Sequence, residues 1–278
     1  CGRYEAAFGQ YAAGNAVSRL RLVRYDRYAV EQGVSKLIES FDRARMDAAG
    51  PVSEAPLVFV TGMFRSGSTL FEQVLAAHPR VTAGGEIEYF MRVPISLDPA
   101  DWQGLGKGYV DYLKRSFPGA DIVTNKRPDA FGLLGMLKAV FPNARFVNTV
   151  RDPRDTALSI WFQQFDDRLG YAADLADIAH HYRQYRRLMS HWKGLFGECI
   201  FDADYDAYVQ DPRGVTEKLL AFAGLDWHEG CLDFHRNANR VRTASVTQVR
   251  EPLYQRSSGR WRNYERQLEP LALDLGGD

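Results

Sequence analysis

Apolar positions along this chain alternate between short β-branched or aromatic runs and longer stretches at helical spacing. Near the start, Tyr4, Ala7, Phe8, Tyr11 and Gly14 share one helical face, which predicts an amphipathic helix. A second amphipathic segment runs from Val34 to Met46, and the breaker-rich AAGPVSEAP from Ala48 to Pro56 reads as a linker. Strand and helix signals then alternate. Leu57–Gly62 predicts a strand and Ser68–Ala77 a helix that stops before His78-Pro79. Asp121–Lys126 and Ala144–Val150 predict further strands, followed by helices over Asp129–Val140 and Pro153–Phe165. Leu175–Phe196 reads as a long helix, Glu198–Tyr205 as a fourth strand and Pro212–Ala223 as another helix. Beyond Leu225 the periodicity fades into a loop-rich tail that needs a surface to pack on. The pattern predicts an α/β fold, three layers around a central parallel sheet, over residues 56–278, preceded by a short helical segment over residues 1–50.

Composition narrows the function classes. A chain of 278 residues with 45% hydrophobic content can bury one sizeable core plus a small appendage. Its 35 basic and 35 acidic residues cancel, so nothing at this level argues for a nucleic-acid partner. No apolar run approaches the roughly 20 residues that a membrane-spanning helix needs. Cys1, Cys199 and Cys231 show no CxxC spacing, which argues against a zinc site. Cys199 and Cys231 are expected to be free buried thiols, with pairing in an oxidising compartment left open. Because the chain opens at Cys1 without a methionine, upstream sequence is expected to be missing, ahead of the alternative of a lipidated N-terminus.

The most informative stretch is Gly62-Met-Phe-Arg-Ser-Gly67-Ser68-Thr69, which follows the first strand and opens a helix. It has the G-x-x-x-x-G-K-[ST] frame of a phosphate loop, with Ser68 where the lysine belongs. Glycines let backbone N–H groups wrap an anion, and the helix N-terminus adds partial positive charge. Arg65 supplies a planar two-point donor inside the loop. Arg65, Ser66, Gly67, Ser68 and Thr69 therefore form a P-loop-type anion site suited to a single phosphate carrying one transferable group. A strand–turn–helix with incidental glycines is the plainer reading, and the combination of arginine and Ser-Thr helix start weighs against it.

The stretch MFRSGSTLFEQVLAAHP resembles the 5′-phosphosulfate loop of sulfotransferases that use 3′-phosphoadenosine 5′-phosphosulfate (PAPS), usually PRSGTTL followed by a helix and His-Pro. Phe64 replaces the proline and Ser68 a threonine. The sub-pattern is similar to tyrosylprotein sulfotransferases and to bacterial enzymes that fuse tetratricopeptide repeats to such a domain. The N-terminal helix, similar to half of such a repeat, fits the latter and implies a bacterial, cytoplasmic protein. The resemblance implies PAPS as donor, 3′-phosphoadenosine 5′-phosphate (PAP) as product and no metal. Arg151 and Ser159 match its RDxRxxxxS pattern for the 3′-phosphate, a dianion that calls for charge-assisted donors. Gln163 stands where relatives carry another basic residue. Glu86 in AGGE falls at the general-base glutamate, and Lys126 at the lysine bridging sulfate and leaving oxygen. Ser245 and Arg260 match the nucleotide-covering loop, within a tail holding seven arginines between Arg236 and Arg262. Tyr205 matches a nucleotide-contacting tyrosine, although a buried strand aromatic is a close alternative. His78, at a helix end before proline, is expected to pack or cap, leaving Glu86 as the base.

The implied acceptor is a hydroxyl, on a peptide tyrosine, another phenol or a sugar; a carboxylate base suits an acidic hydroxyl such as a phenol. Glu88 and Arg92 occupy positions where tyrosylprotein enzymes hold acidic peptides with arginines, so an acidic peptide is in doubt. A homodimer is left open. A small-molecule P-loop kinase would need the missing lysine and a metal-binding acid, and a non-catalytic docking module would not need Arg65, Glu86, Lys126 and Ser245 together.

Overall fold

A computed structural model describes residues 2–91, 98–165, 167–236, 249, 253 and 257–269. Three helices lead the chain: α1 (Tyr4–Ser18), α2 (Arg27–Ser40) and α3 (Arg43–Ala49). The expected single segment Val34–Met46 is broken at Phe41 because Asp42 caps a new helix, accepting from Arg45 N–H at 2.7 Å. The break drives Phe41 into the core, stacked on Trp102 and edge-on to Trp192, each at 5.4 Å. Val34, Leu37 and Phe41 thereby join the main hydrophobic cluster. α1 buries no residue; Phe8 and Tyr11 lie on Trp161 and Phe162 instead.

The α/β unit runs β1 (Val58–Gly62), α4 (Ser68–Ala76), β2 (Val81–Ala83), α5 (Pro99–Ser116) and β3 (Ile122–Lys126). A 3₁₀ turn (Pro128–Leu133) then leads into α6 (Leu134–Val140), followed by β4 (Arg145–Val150) and α7 (Pro153–Trp161). Next come α8 (Leu175–Phe196), β5 (Ile200–Asp204), α9 (Tyr205–Gln210) and α10 (Pro212–Ala223), with α11 (Glu265–Leu268) near the end. α5 and α9 add to the expected elements. α5 has the Asp98-Pro99 start of a capped helix, but three glycines dilute its apolar stripe of Trp102, Tyr109 and Leu113.

The sheet is parallel throughout, in the order β2-β3-β1-β4-β5. β1 is buried on both faces, and its side chains alternate. Phe59 joins the cluster formed with α2, α5, α6 and α8. Val58 and Val60 join the opposite cluster with α4, α9 and α10. This is the expected three-layer arrangement. Cys199 and Cys231 are buried free thiols in different clusters, and burial pushes the Cys231 thiol up to about 11. Among the described residues no helix is long and apolar enough to cross a membrane.

Candidate functional site

The strand order sets the site. β1 lies between β3 and β4, so the loop leaving β1 has the end of β3 on one side and the end of β4 on the other. Ligands bind at the carboxyl ends of such parallel strands. Val60 pairs with Lys126 on one side and Gly62 with Thr149 on the other, which brings Lys126 and Arg151 to opposite flanks of the loop.

Within the loop, Gly67 caps α4 with φ +110°, a left-handed conformation that disfavours a side chain. A Cβ there would also lie 3.1 Å from the Tyr205 ring. Arg65 takes φ +68°, unusual for a non-glycine residue. Contacts with α7 and its approach help to hold it. Its Nε donates to Ser159 Oγ at 3.1 Å, and its carbonyl accepts from Arg151 Nη1 at 3.3 Å. Ser66 turns inward: its hydroxyl donates to Met63 O and shares a hydrogen bond with Thr149 Oγ1, both at 2.6 Å. That hydroxyl braces the loop.

One pocket is lined by Arg65, Gly67, Ser68, Thr69, Arg151, Ser159, Tyr205 and Arg260. Among the described residues, every residue assigned from the sequence to the nucleotide except Ser66 therefore lines it. Arg151 lies over the Tyr205 ring at 4.8 Å, donates to the Ser257 carbonyl, and keeps a buried Nε with no hydrogen-bond partner among the described residues. An unsatisfied guanidinium N–H beside a helix N-terminus fits an anion. Arg260 sits over Phe162 at 4.9 Å, and Tyr11 of α1 reaches the same wall.

Glu86 and Lys126 form an ion pair on the β3 flank, with Lys126 only 1% exposed. Beside it Arg127 is held by Asp129 at 2.8 Å and by Glu88 at 3.2 Å. His78 is buried at the end of α4, where its Nδ1 accepts from Arg80 N–H at 3.2 Å. Burial, followed by His228 and Arg80, holds His78 below the usual imidazole value. Ser245 and Arg92 lie outside the described residues. Among the described residues, no three His, Cys, Asp or Glu side chains group as a metal site.

Two buried carboxyls escaped the sequence reading. Asp155 on α7 accepts from Gly259 N–H at 2.6 Å and Trp261 N–H at 2.7 Å, pinning the tail that carries Arg260. Its pKa is raised by burial against the pull of Arg151. Glu72 on α4 is the other; its visible signal was one acid in a mostly apolar run, LFEQVLA.

Comparison with known proteins places this architecture. The family model described as "Sulfotransferase family" matches residues 56–103 and 96–229. An uncharacterised protein of Aquifex aeolicus (strain VF5) is 29% identical over 96% of this chain and 38% of its own length. Protein-tyrosine sulfotransferase 1 of Danio rerio is 24% identical over 70% of this chain and 61% of its own. The chain thus spans less than two thirds of either relative. Among solved structures, the sulfotransferase domain of the Synechococcus PCC 7002 olefin synthase superposes with TM-score 0.60 at 19% identity, covering 82% of this chain and 98% of that one. A mouse sulfotransferase complexed with PAP gives 0.54 at 16% identity, covering 84% and 89%.

Proposed function

The chain belongs to the sulfotransferase family, and from that premise we propose that it transfers a sulfo group from PAPS to an acceptor hydroxyl, a peptide tyrosine or other phenol. The observation that carries the reading is the single pocket lined by Arg65, Ser68, Thr69, Arg151, Ser159 and Arg260, where Arg151 Nε has no hydrogen-bond partner among the described residues. The α4 N-terminus and Arg65 would hold the 5′-phosphosulfate end. Arg151, Ser159 and Arg260 would hold the 3′-phosphate, with Tyr205 against the nucleotide.

The donor supplies an activated sulfo group: the acceptor oxygen bonds to sulfur as the bond from sulfur to the 5′-phosphate oxygen breaks, with its electron pair leaving on PAP. Glu86 takes the acceptor proton. Lys126, already paired with Glu86, neutralises charge on the sulfonate and the leaving oxygen. Ser245 is assigned an auxiliary role there. The tyrosine-directed names of the relatives favour a phenol over a sugar. Arg127, engaged by Glu88 and Asp129, disfavours a strongly acidic peptide.

The test is incubation with PAPS and separate tyrosine-peptide, phenol and glycan pools, read as sulfo-group mass shifts. At least one hydroxyl pool gains mass, and PAP raises the melting temperature. If neither happens the proposal fails. Turnover should persist in a chelator, since Arg65 and Lys126 supply the positive charge that a metal would.

A further inference from the structure

The proposed chemistry leaves the Glu72 carboxyl without a task. It is 3% exposed, in a helix whose every residue is buried. Its Oε1 accepts from Gly85 N–H at 3.0 Å and from the Thr124 hydroxyl at 2.9 Å. The Thr124 hydroxyl oxygen in turn accepts from Gly84 N–H at 3.3 Å, and that N–H also reaches the Thr124 carbonyl at 3.1 Å. Two successive amides are thus clamped to one carboxyl and one hydroxyl. Gly84 must lack a side chain here, because a Cβ would collide with the Thr124 carbonyl oxygen. The Gly85 carbonyl then accepts from Lys126 N–H at 2.8 Å. Glu86 directly follows the clamped turn, and Lys126 lies two residues beyond Thr124.

We infer that Glu72 is a positioning residue, fixing the Gly84-Gly85 turn and the end of β3 so that Glu86 and Lys126 meet beside the loop that opens α4. The inference rests on the sulfotransfer reading above. Glu72 lies one helical turn beyond Ser68, so a single rigid helix sets the spacing between the donor end and the base end of the reaction. Burial holds the Glu72 carboxyl above the usual carboxylate range, against the pull of Lys126. A hydrogen-bonded carboxyl can serve this task in either protonation state, because Oε1 accepts both bonds. Loosening the turn by about 1 Å would cost about 100-fold in rate without touching the donor pocket.

Steady-state turnover of a tyrosine peptide or 4-nitrophenol with PAPS tests this, alongside the PAP-induced melting shift. Glu72→Ala is expected to lower kcat about 100-fold, with donor KM and the PAP shift within about twofold of wild type. Glu72→Gln, whose amide oxygen can accept both bonds, is expected to restore kcat to within about threefold. Wild-type kcat in Glu72→Ala overturns the inference. So does a loss of donor affinity in step with kcat, or a Glu72→Gln as slow as the alanine. Should Glu72→Ala not fold, Thr124→Val carries the test: kcat falls about tenfold with donor KM unmoved, and an unchanged kcat overturns the inference. A wild type that modifies no acceptor and ignores PAP removes the sulfotransfer reading and this inference together. An active wild type with an indifferent Glu72→Ala removes only the latter.

Discussion

Lys126 has almost no exposed surface, so its ammonium has few places to go apart from the Glu86 carboxylate and whatever enters beside it. Removing the proposed proton acceptor while keeping the shape should separate chemistry from binding. Glu86→Gln is expected to leave the PAP-induced melting shift intact and lower turnover by about 10²–10⁴; equal activity would move the base elsewhere. In the proposed reaction Arg151 is the counterpart on the donor side. Arg151→Ala is expected to weaken PAP binding about 10- to 100-fold by calorimetry, and Arg151→Lys to recover little, since an ammonium lacks the planar fork. Undiminished affinity would place the 3′-phosphate away from β4. Glu86, Lys126 and Arg151 could be singled out from the sequence because each stands in a local pattern. Glu72 could not: its partners Gly85 and Thr124 are 13 and 52 residues away, and no spacing within a helix reports them.

Short helices carry the site, and their starts were easier to read than their full course. α4 begins at Ser68, where the loop motif puts it, because Gly67 supplies the left-handed cap. Gly67→Ala forces that conformation on a β-carbon and presses on Tyr205. It is expected to cost about 1–3 kcal/mol in thermal unfolding and to weaken PAP binding; a fully stable, fully binding variant would contradict the cap's role. α7 begins at Pro153 as expected but ends at Trp161, short of Phe165. Its Asp155 holds the tail. Asp155→Asn leaves one oxygen for two N–H donors and turns an amide toward one of them, so limited proteolysis should cut faster around Ser257–Arg262. α5 went unread because glycines interrupt its stripe, and its aromatic residues become a face only against Phe41 and Phe59.

For the whole molecule, the cluster joining the segment before α2 to α8 gives a pH signature. Tyr25 OH lies 3.0 Å from His180 Nδ1 and 3.3 Å from His181 Nδ1, and His181 stacks on Tyr171 at 4.0 Å. Burial, reinforced by His180 and opposed by Asp129, pushes His181 down to about 4. The unfolded chain binds this proton near pH 6.5 and the folded chain only near 4. The stabilisation is therefore complete above pH 6.5 and is lost as pH falls towards 4, at up to about 1.4 kcal/mol per pH unit. Urea unfolding across that window should show the slope, and His181→Asn should reduce it. His180 and His78, both lowered by burial, act with the same sign, and Glu72 and Asp155, both raised by burial, with the opposite one, so the His181 share is the difference between the variant's slope and that of wild type.

Local order in the sequence determined the succession of strands and helices, the glycine-bounded loop between β1 and α4, and the spacing from Arg151 to Ser159 across the start of α7. Each depends on residues a few positions apart, where backbone geometry alone decides which side chains share a face. The tertiary structure decided the rest. Strand order put Lys126 and Arg151 on opposite flanks of one loop. Packing turned Ser66 inward, neutralised Arg127 between two carboxylates, and set Glu72 behind the turn that carries Glu86. Those contacts join segments distant in sequence, and burying their polar groups demands partners that only the assembled sheet supplies.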